Sequence, residues 1–274
     1  MKNILVPCDF SAPAQEAYKF AVSMARKSKG QIHVLYILDI IFLHGNPTLD
    51  HSYAFNINFL KEMEEDARKK FQAMWEKYTP LELPVKYTHT TGSLQQDVLQ
   101  YINKNSIDLV VMGTHGTNGN TWGSNTQRIV RHAQIPVWAI RKNPAGAINN
   151  IVVPLIPDRT DKHFCDELKK LQAFFNATLI FLWVNTPRMF KGDTDSFREL
   201  QEFATTNQFT NYTLHVRSDY NAEDGIYRFA RDMDADMLAI GTQGWKGFMH
   251  FFNGSVAEDI VNHIDLPVWT CVLP

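Results

Sequence analysis

Three cysteines in 274 residues, Cys8, Cys165 and Cys271, are too few, too far apart and too odd in number for a disulfide framework, so a reducing compartment fits best. Long apolar runs are lacking as well: no segment reaches the ~18 consecutive apolar residues of a membrane-spanning helix. The first apolar stretch is cut short by Asp9, too early for a secretory signal, and the expected location is cytoplasmic. Excess charge of either sign is missing. Lys and Arg number 27 against 29 Asp and Glu, a formal charge of -2 without a long basic run, which argues against nucleic acid or a membrane surface as a dedicated partner.

Familiar chemical signatures are absent too. The chain has no Gly-Lys-Ser/Thr phosphate loop, no His-Glu-x-x-His, and no Gly-x-Ser-x-Gly elbow, and its ten histidines show no metal-ligand spacing. A common NTPase, a zinc protease and an α/β-hydrolase are thereby set aside. What remains is a globular composition, 45% hydrophobic and 20% charged, in a chain long enough for two ordinary domains.

The most informative stretch runs from Gly241 to Glu258. The apolar run Asp236-Met-Leu-Ala-Ile240 reads as a buried parallel strand leading into Gly241-Thr-Gln-Gly244. Beyond it, Val256, Ile260, Val261 and Ile264 share one helical face, and Ser255 with Glu258 makes a capping box. Strand, glycine loop and capped helix form a place for an anion, because the first turn of a helix offers free N–H groups and the positive end of its dipole. The same construction occurs earlier, in Asp108-Leu-Val-Val-Met112, Gly113-Thr-His-Gly116 and Gly123-Ser-Asn-Thr-Gln127. Each copy closes alike, with His132-Ala-Gln-Ile-Pro-Val-Trp138 against His263-Ile-Asp-Leu-Pro-Val-Trp269, and opens alike, with Ile4-Leu-Val-Pro7 against Ile151-Val-Val-Pro154. A duplicated domain of roughly 140 residues accounts for this.

Taken in order, the first half alternates strand and helix. Strands are expected at 3–7, 32–38, 85–90, 108–112 and 136–141. Helices are expected from a Ser11 cap to Gly30, along the Leu60, Met63, Ala67, Phe71, Met74 and Tyr78 stripe, at 93–105, and from Ser124. Residues 39–57 lack periodicity and read as a lid or contact loop, or as a packing excursion. Lys142 to Asn150 is the linker. The second half repeats the order, with strands at 151–154, 178–184, 212–217, 236–240 and 267–271. The expected fold class is α/β: two tandem doubly wound five-stranded parallel sheets, 1–143 and 148–274, packed as an intrachain pseudo-dimer through their last strands.

Two halves that each carry Gly-x-x-Gly after the fourth strand and Gly-Ser before the next helix resemble the universal stress protein family in tandem form, an adenine nucleotide alpha-hydrolase-like, Rossmann-like fold. The resemblance covers nearly the whole chain. It implies a regulatory binder of ATP or another adenine nucleotide, with or without Mg, that acts in the stress response and is not an enzyme. In the first half it implies nucleotide contacts from Pro7, Asp9, Ile37, Met112, Gly113, Gly116, Gly123, Ser124, Asn125 and Thr126. In the second it implies Val184, Ile240, Gly241, Gly244, Gly254, Ser255, Val256 and Ala257. Departures from the family pattern occur in both. Only residues 117–122 separate Gly116 from Gly123, where the pattern has nine, while Ile156 takes the place of Asp9 and Asp259 puts an acid in the first helical turn. The working site is therefore expected in the first half.

Plainer readings stand beside these. Asp9, Ser124 and Ser255 are competent helix caps, Cys8 suits a buried strand end, and Trp122 and Trp245 suit packing between domains. The alternative function is a nucleotide-free interaction scaffold with decayed pockets. The partners implied are a small-molecule nucleotide and, as an open alternative to the monomer, a second copy of the chain.

Overall fold

The computed structural model describes residues 1–39, 57–114, 124–142, 144, 146–243 and 266–273. In the first half β1 (Asn3–Pro7), α1 (Ala12–Ser28), β2 (Gln31–Asp39), α2 (Ile57–Tyr78), β3 (Val85–Gly92), α3 (Leu94–Lys104), β4 (Leu109–Gly113), α4 (Ser124–His132) and β5 (Val137–Ile140) follow in turn. The second half has β6 (Asn150–Pro154), a 3₁₀ turn (Pro157–Arg159), α5 (Lys162–Phe175), β7 (Thr178–Asn185), α6 (Asp193–Thr206), β8 (Tyr212–Ser218), α7 (Ala222–Asp232), β9 (Met237–Gln243) and β10 (Val268–Leu273). The unperiodic stretch 40–56 lies outside the described residues.

The strands form one ten-stranded sheet in the order β3-β2-β1-β4-β5-β10-β9-β6-β7-β8. This differs from the expected pair of separate five-stranded sheets. Within each half every pairing is parallel, but β5 and β10 join antiparallel, with Trp269 opposite Trp138 and Val268 and Thr270 opposite Ala139 and Val137. An exposed edge strand presents a row of unpaired N–H and C=O groups; each half covers the other's edge. The Thr270 hydroxyl adds a hydrogen bond to the Val137 carbonyl at 3.0 Å.

Alternation along the strands sends side chains to two core layers, one on each face of the sheet. Ile4, Val6, Leu109 and Val111 face the layer built with α1, α2, α5 and α6, while Leu5, Val110 and Met112 face the layer built with α3, α4 and α7. Both layers run through the two halves without a break. Over the β5–β10 seam lie Trp138 and Trp269, both fully buried. Trp138 packs against Phe20 of α1 and Phe175 of α5, and Trp269 against Phe164 of α5.

A matched pair of carboxylates fixes the opposite, amino-terminal edge. Asp108 accepts the backbone N–H groups of Lys2 and Asn3 at 2.6 and 2.9 Å, and Asp236 those of Asn149 and Asn150 at 2.8 and 2.9 Å. Each carboxylate thus ties the start of the first strand of its half to the start of the fourth.

Because the seam is common to both halves, Trp269→Ala should destabilise the whole chain by about 3–5 kcal/mol. Urea unfolding followed by circular dichroism should still show a single transition. Two separated transitions, with one half unmoved, would contradict a shared core.

Candidate functional site

In each half the chain order reverses between the first and fourth strands: β1 is flanked by β2 and β4, and β4 leads outward to β5. In doubly wound sheets the crevice beyond the carboxyl ends of such strands is where ligands bind. The residues at that crevice in the first half are Pro7, Asp9, Gly113 and the opening of α4.

Pro7 is the last residue of β1 and is buried, and Asp9 stands exposed just beyond it. Asp9 Oδ1 accepts the Ser11 N–H at 3.0 Å, and Ser11 in turn caps α1 by accepting the Ala14 N–H at 3.4 Å. The helix cap is therefore Ser11, and Asp9 supports the turn that presents it. The second carboxylate oxygen of Asp9 has no partner among the described residues. Between them Phe10 takes a left-handed backbone with φ 62°, which costs a non-glycine residue free energy and recurs at functional turns. Its ring stacks on Tyr36 of β2 at 5.6 Å between centroids, and this contact holds the turn. Cys8 is buried beneath, its thiol pushed up to about 12 chiefly by burial, so it is a packed strand end and not a nucleophile.

On the neighbouring strand Met112 is buried in the α3–α4–α7 layer, leaving only its backbone to the crevice, and Ile37 of β2 is half-buried against the same layer. Gly113 ends β4. A Cβ there would lie 2.7 Å from the backbone of Pro13, so this glycine lets the first turn of α1 close onto the strand. Thr126 is buried, and its hydroxyl donates to the Gly113 carbonyl at 3.1 Å, tying the first turn of α4 to the end of β4. No acid occupies that turn, so nothing within it offsets the positive end of the helix dipole. Ser124 and Asn125 open α4, but their side chains, with Gly116 and Gly123, lie outside the described residues.

The second half differs at the same place. Ile156 is half-buried against the core where Asp9 is exposed. The chain then makes the 3₁₀ turn Pro157–Arg159, held by the Thr160 hydroxyl on the Ile156 carbonyl at 2.9 Å, before Asp161 caps α5 by accepting the Phe164 N–H at 2.8 Å. Asp158 sits exposed within that turn and does not stand in for Asp9. Val184 is buried under α7, where a Cβ on Gly225 would come within 2.5 Å of it. Ile240 is buried and Gly241 half-buried on β9. Gly244, Gly254, Ser255, Val256, Ala257 and Asp259 lie outside the described residues.

The model of the Universal stress protein family matches residues 1–141 and, a second time, residues 148–271. The chain belongs to the universal stress protein family. A universal stress protein of Synechocystis is 24% identical over 294 residues, covering 98% of this chain and 99% of that protein. One from Methanocaldococcus jannaschii is 28% identical over 144 residues, covering 52% of this chain and 82% of that protein. Among solved structures, a universal stress protein from Archaeoglobus fulgidus shares the fold with a TM-score of 0.75 at 16% identity, covering 98% of this chain and 96% of its own. The tandem, Rossmann-like, stress-response character is therefore plain, and membership places the chain among regulatory proteins and not enzymes. No helix among the described residues is long and apolar enough to cross a membrane.

Sequence reasoning missed one organiser of the second half. Asn185, buried at the end of β7, accepts from the Trp183 indole N–H at 2.9 Å and the Lys191 N–H at 3.2 Å, and it donates to the Lys191 carbonyl at 2.9 Å and Asp193 Oδ1 at 3.2 Å. Lys191 pairs with Glu199 and lies over the Trp183 ring. A polar residue ending the apolar run Leu179–Val184 was the available signal.

Gly113→Ala should lower stability by about 1–3 kcal/mol in urea unfolding, since Pro13 must move. An unchanged midpoint would show that α1 is not packed as described. Cys8 should resist iodoacetamide at pH 8 in the folded chain and react only once urea unfolds it, as peptide mapping would record. Equal labelling in both states would refute its burial.

Proposed function

We propose that this family member is a regulatory adenine-nucleotide binder of the stress response, taking ATP or another adenine nucleotide at the carboxyl edge of its first half. The observation that carries this reading is the convergence of Asp9, exposed with one carboxylate oxygen unpartnered among the described residues, and the acid-free first turn of α4 on one crevice between adjacent strands. The family resemblance gives Asp9 the nucleoside and the helix opening the phosphates. The residues fit those roles: a carboxylate oxygen accepts from ribose hydroxyls, and helix N–H groups with a positive dipole end favour phosphate. Ile37, half-buried on β2, offers an apolar wall beside them. Among the described residues no group of three or more His, Cys, Asp or Glu could hold a metal, so a Mg ion would be held through the nucleotide's own phosphates. The site binds and reports.

The second half is read as structural. Ile156 and the 3₁₀ turn occupy the place of the nucleoside carboxylate, and Asn185 gathers the following loop on itself. Residues 1–143 and 148–274 then act as two units of an intrachain pseudo-dimer, one working and one supporting, in the cytoplasm.

Isothermal titration with ATP, ADP and AMP tests the assignment. Asp9→Asn keeps an oxygen to accept the Ser11 N–H but removes the charge. It should weaken nucleotide binding by about ten- to hundredfold, on the order of 1.5–3 kcal/mol. Ile156→Ala should leave binding as it is. A wild-type chain that takes up none of the three nucleotides would end this reading and favour the scaffold.

A further inference from the structure

The duplication creates a second place for a ligand, far from the carboxyl edge. α1 packs over β5 and α5 over β10, so the two helices flank the shared seam on one face of the sheet. Between them the linker passes overhead, and a cavity of about 240 Å³ remains. Its lining includes Phe20, Ser23, Met24 and Lys27, one helical face of α1, with Ile148 of the linker and Phe175 at the end of α5. Trp138, fully buried in the adjoining layer, touches both Phe20 and Phe175, and its indole N–H has no hydrogen-bond partner among the described residues.

Among the described residues Lys27 is the one charged group in that lining. Its ammonium lies 5.0 Å from the ring centroids of both Phe174 and Phe175, which are themselves edge to face at 5.0 Å. Ring faces attract a cation and fix its position, but they do not neutralise it. Among the described residues Lys27 makes no ion pair. The cleft therefore combines an aromatic and aliphatic floor with one exposed positive charge at its rim that has no ion-pair partner among the described residues.

We propose that this cleft is a binding site for a small aromatic carboxylate, its ring against Phe175 above a floor of Phe20 and Met24 and its anion on Lys27. The space, about 240 Å³ and open to solvent on one side, is large enough for one or two fused rings with the carboxylate at the open edge. The site lies between α1 of one half and α5 of the other, so its occupant would bear on how the halves sit together. It does not depend on nucleotide binding, and Asp9→Asn should not affect it.

The test is titration calorimetry of the full chain with 1-naphthoate and with the neutral 1-naphthalenemethanol. The carboxylate should bind with a dissociation constant on the order of 0.1 mM, and the alcohol about tenfold more weakly. Lys27→Met, which keeps the aliphatic stem, should remove the difference between the two probes. Ser23→Phe, which fills the cavity from an exposed position, should abolish both. The proposal is overturned by no binding of 1-naphthoate at millimolar concentration, by equal affinity for acid and alcohol, or by indifference to either substitution.

Discussion

The antiparallel pairing of β5 with β10 is the contact on which the rest of the molecule depends. Each half alone would end its sheet on a short strand, Val137–Ile140 or Val268–Leu273, with one side unpaired. Joining them pairs Val268–Thr270 with Val137–Ala139 and brings Trp138 opposite Trp269 in the same core layer. Bulky residues on adjacent strands can be buried here only because helices from both halves reach the seam. α1 supplies Phe20 and α5 supplies Phe164 and Phe175. The continuous cores, the position of α5 beside α1 and the space under the linker are consequences of that one pairing.

The two crevices diverge through the backbone as much as through side chains. In the first half Ser11 caps α1 soon after Pro7, and the tight turn leaves Asp9 pointing into solvent. In the second, Asp161 caps α5 only after the turn Pro157–Arg159 has intervened. The added turn brings Ile156 against the core and carries Asp158 away. A single substitution at Ile156 would therefore change the residue type without recovering the first half's geometry.

Much of the fold could be read from the chain because buried parallel strands appear as uninterrupted apolar runs. The repeated ends, Ile-Pro-Val-Trp138 and Leu-Pro-Val-Trp269, disclosed the duplication. That these ends pair with each other in one sheet was less visible, since pairing between distant segments leaves no local periodicity. The site was legible to a similar depth. Asp9 and the helix opening at Ser124 carry local signatures of turn and cap. Thr126 and Gly113 do not disclose that one hydroxyl and one carbonyl meet across the crevice, or that Pro13 needs the space a side chain would take. Asn185 was missed for the same reason, because its partners Trp183, Lys191 and Asp193 gain meaning only when the loop folds back on them.

Residues 142–149 join the two halves by a short covalent span beside the seam. A tether of this length holds one half near the other at an effective concentration of roughly millimolar, whatever the dilution of the protein. The halves therefore need no threshold of expression to stay assembled. Where two identical chains meet, every substitution appears twice; here it appears once. Ile156 could arise opposite an intact Asp9, and one crevice could change while the other was kept.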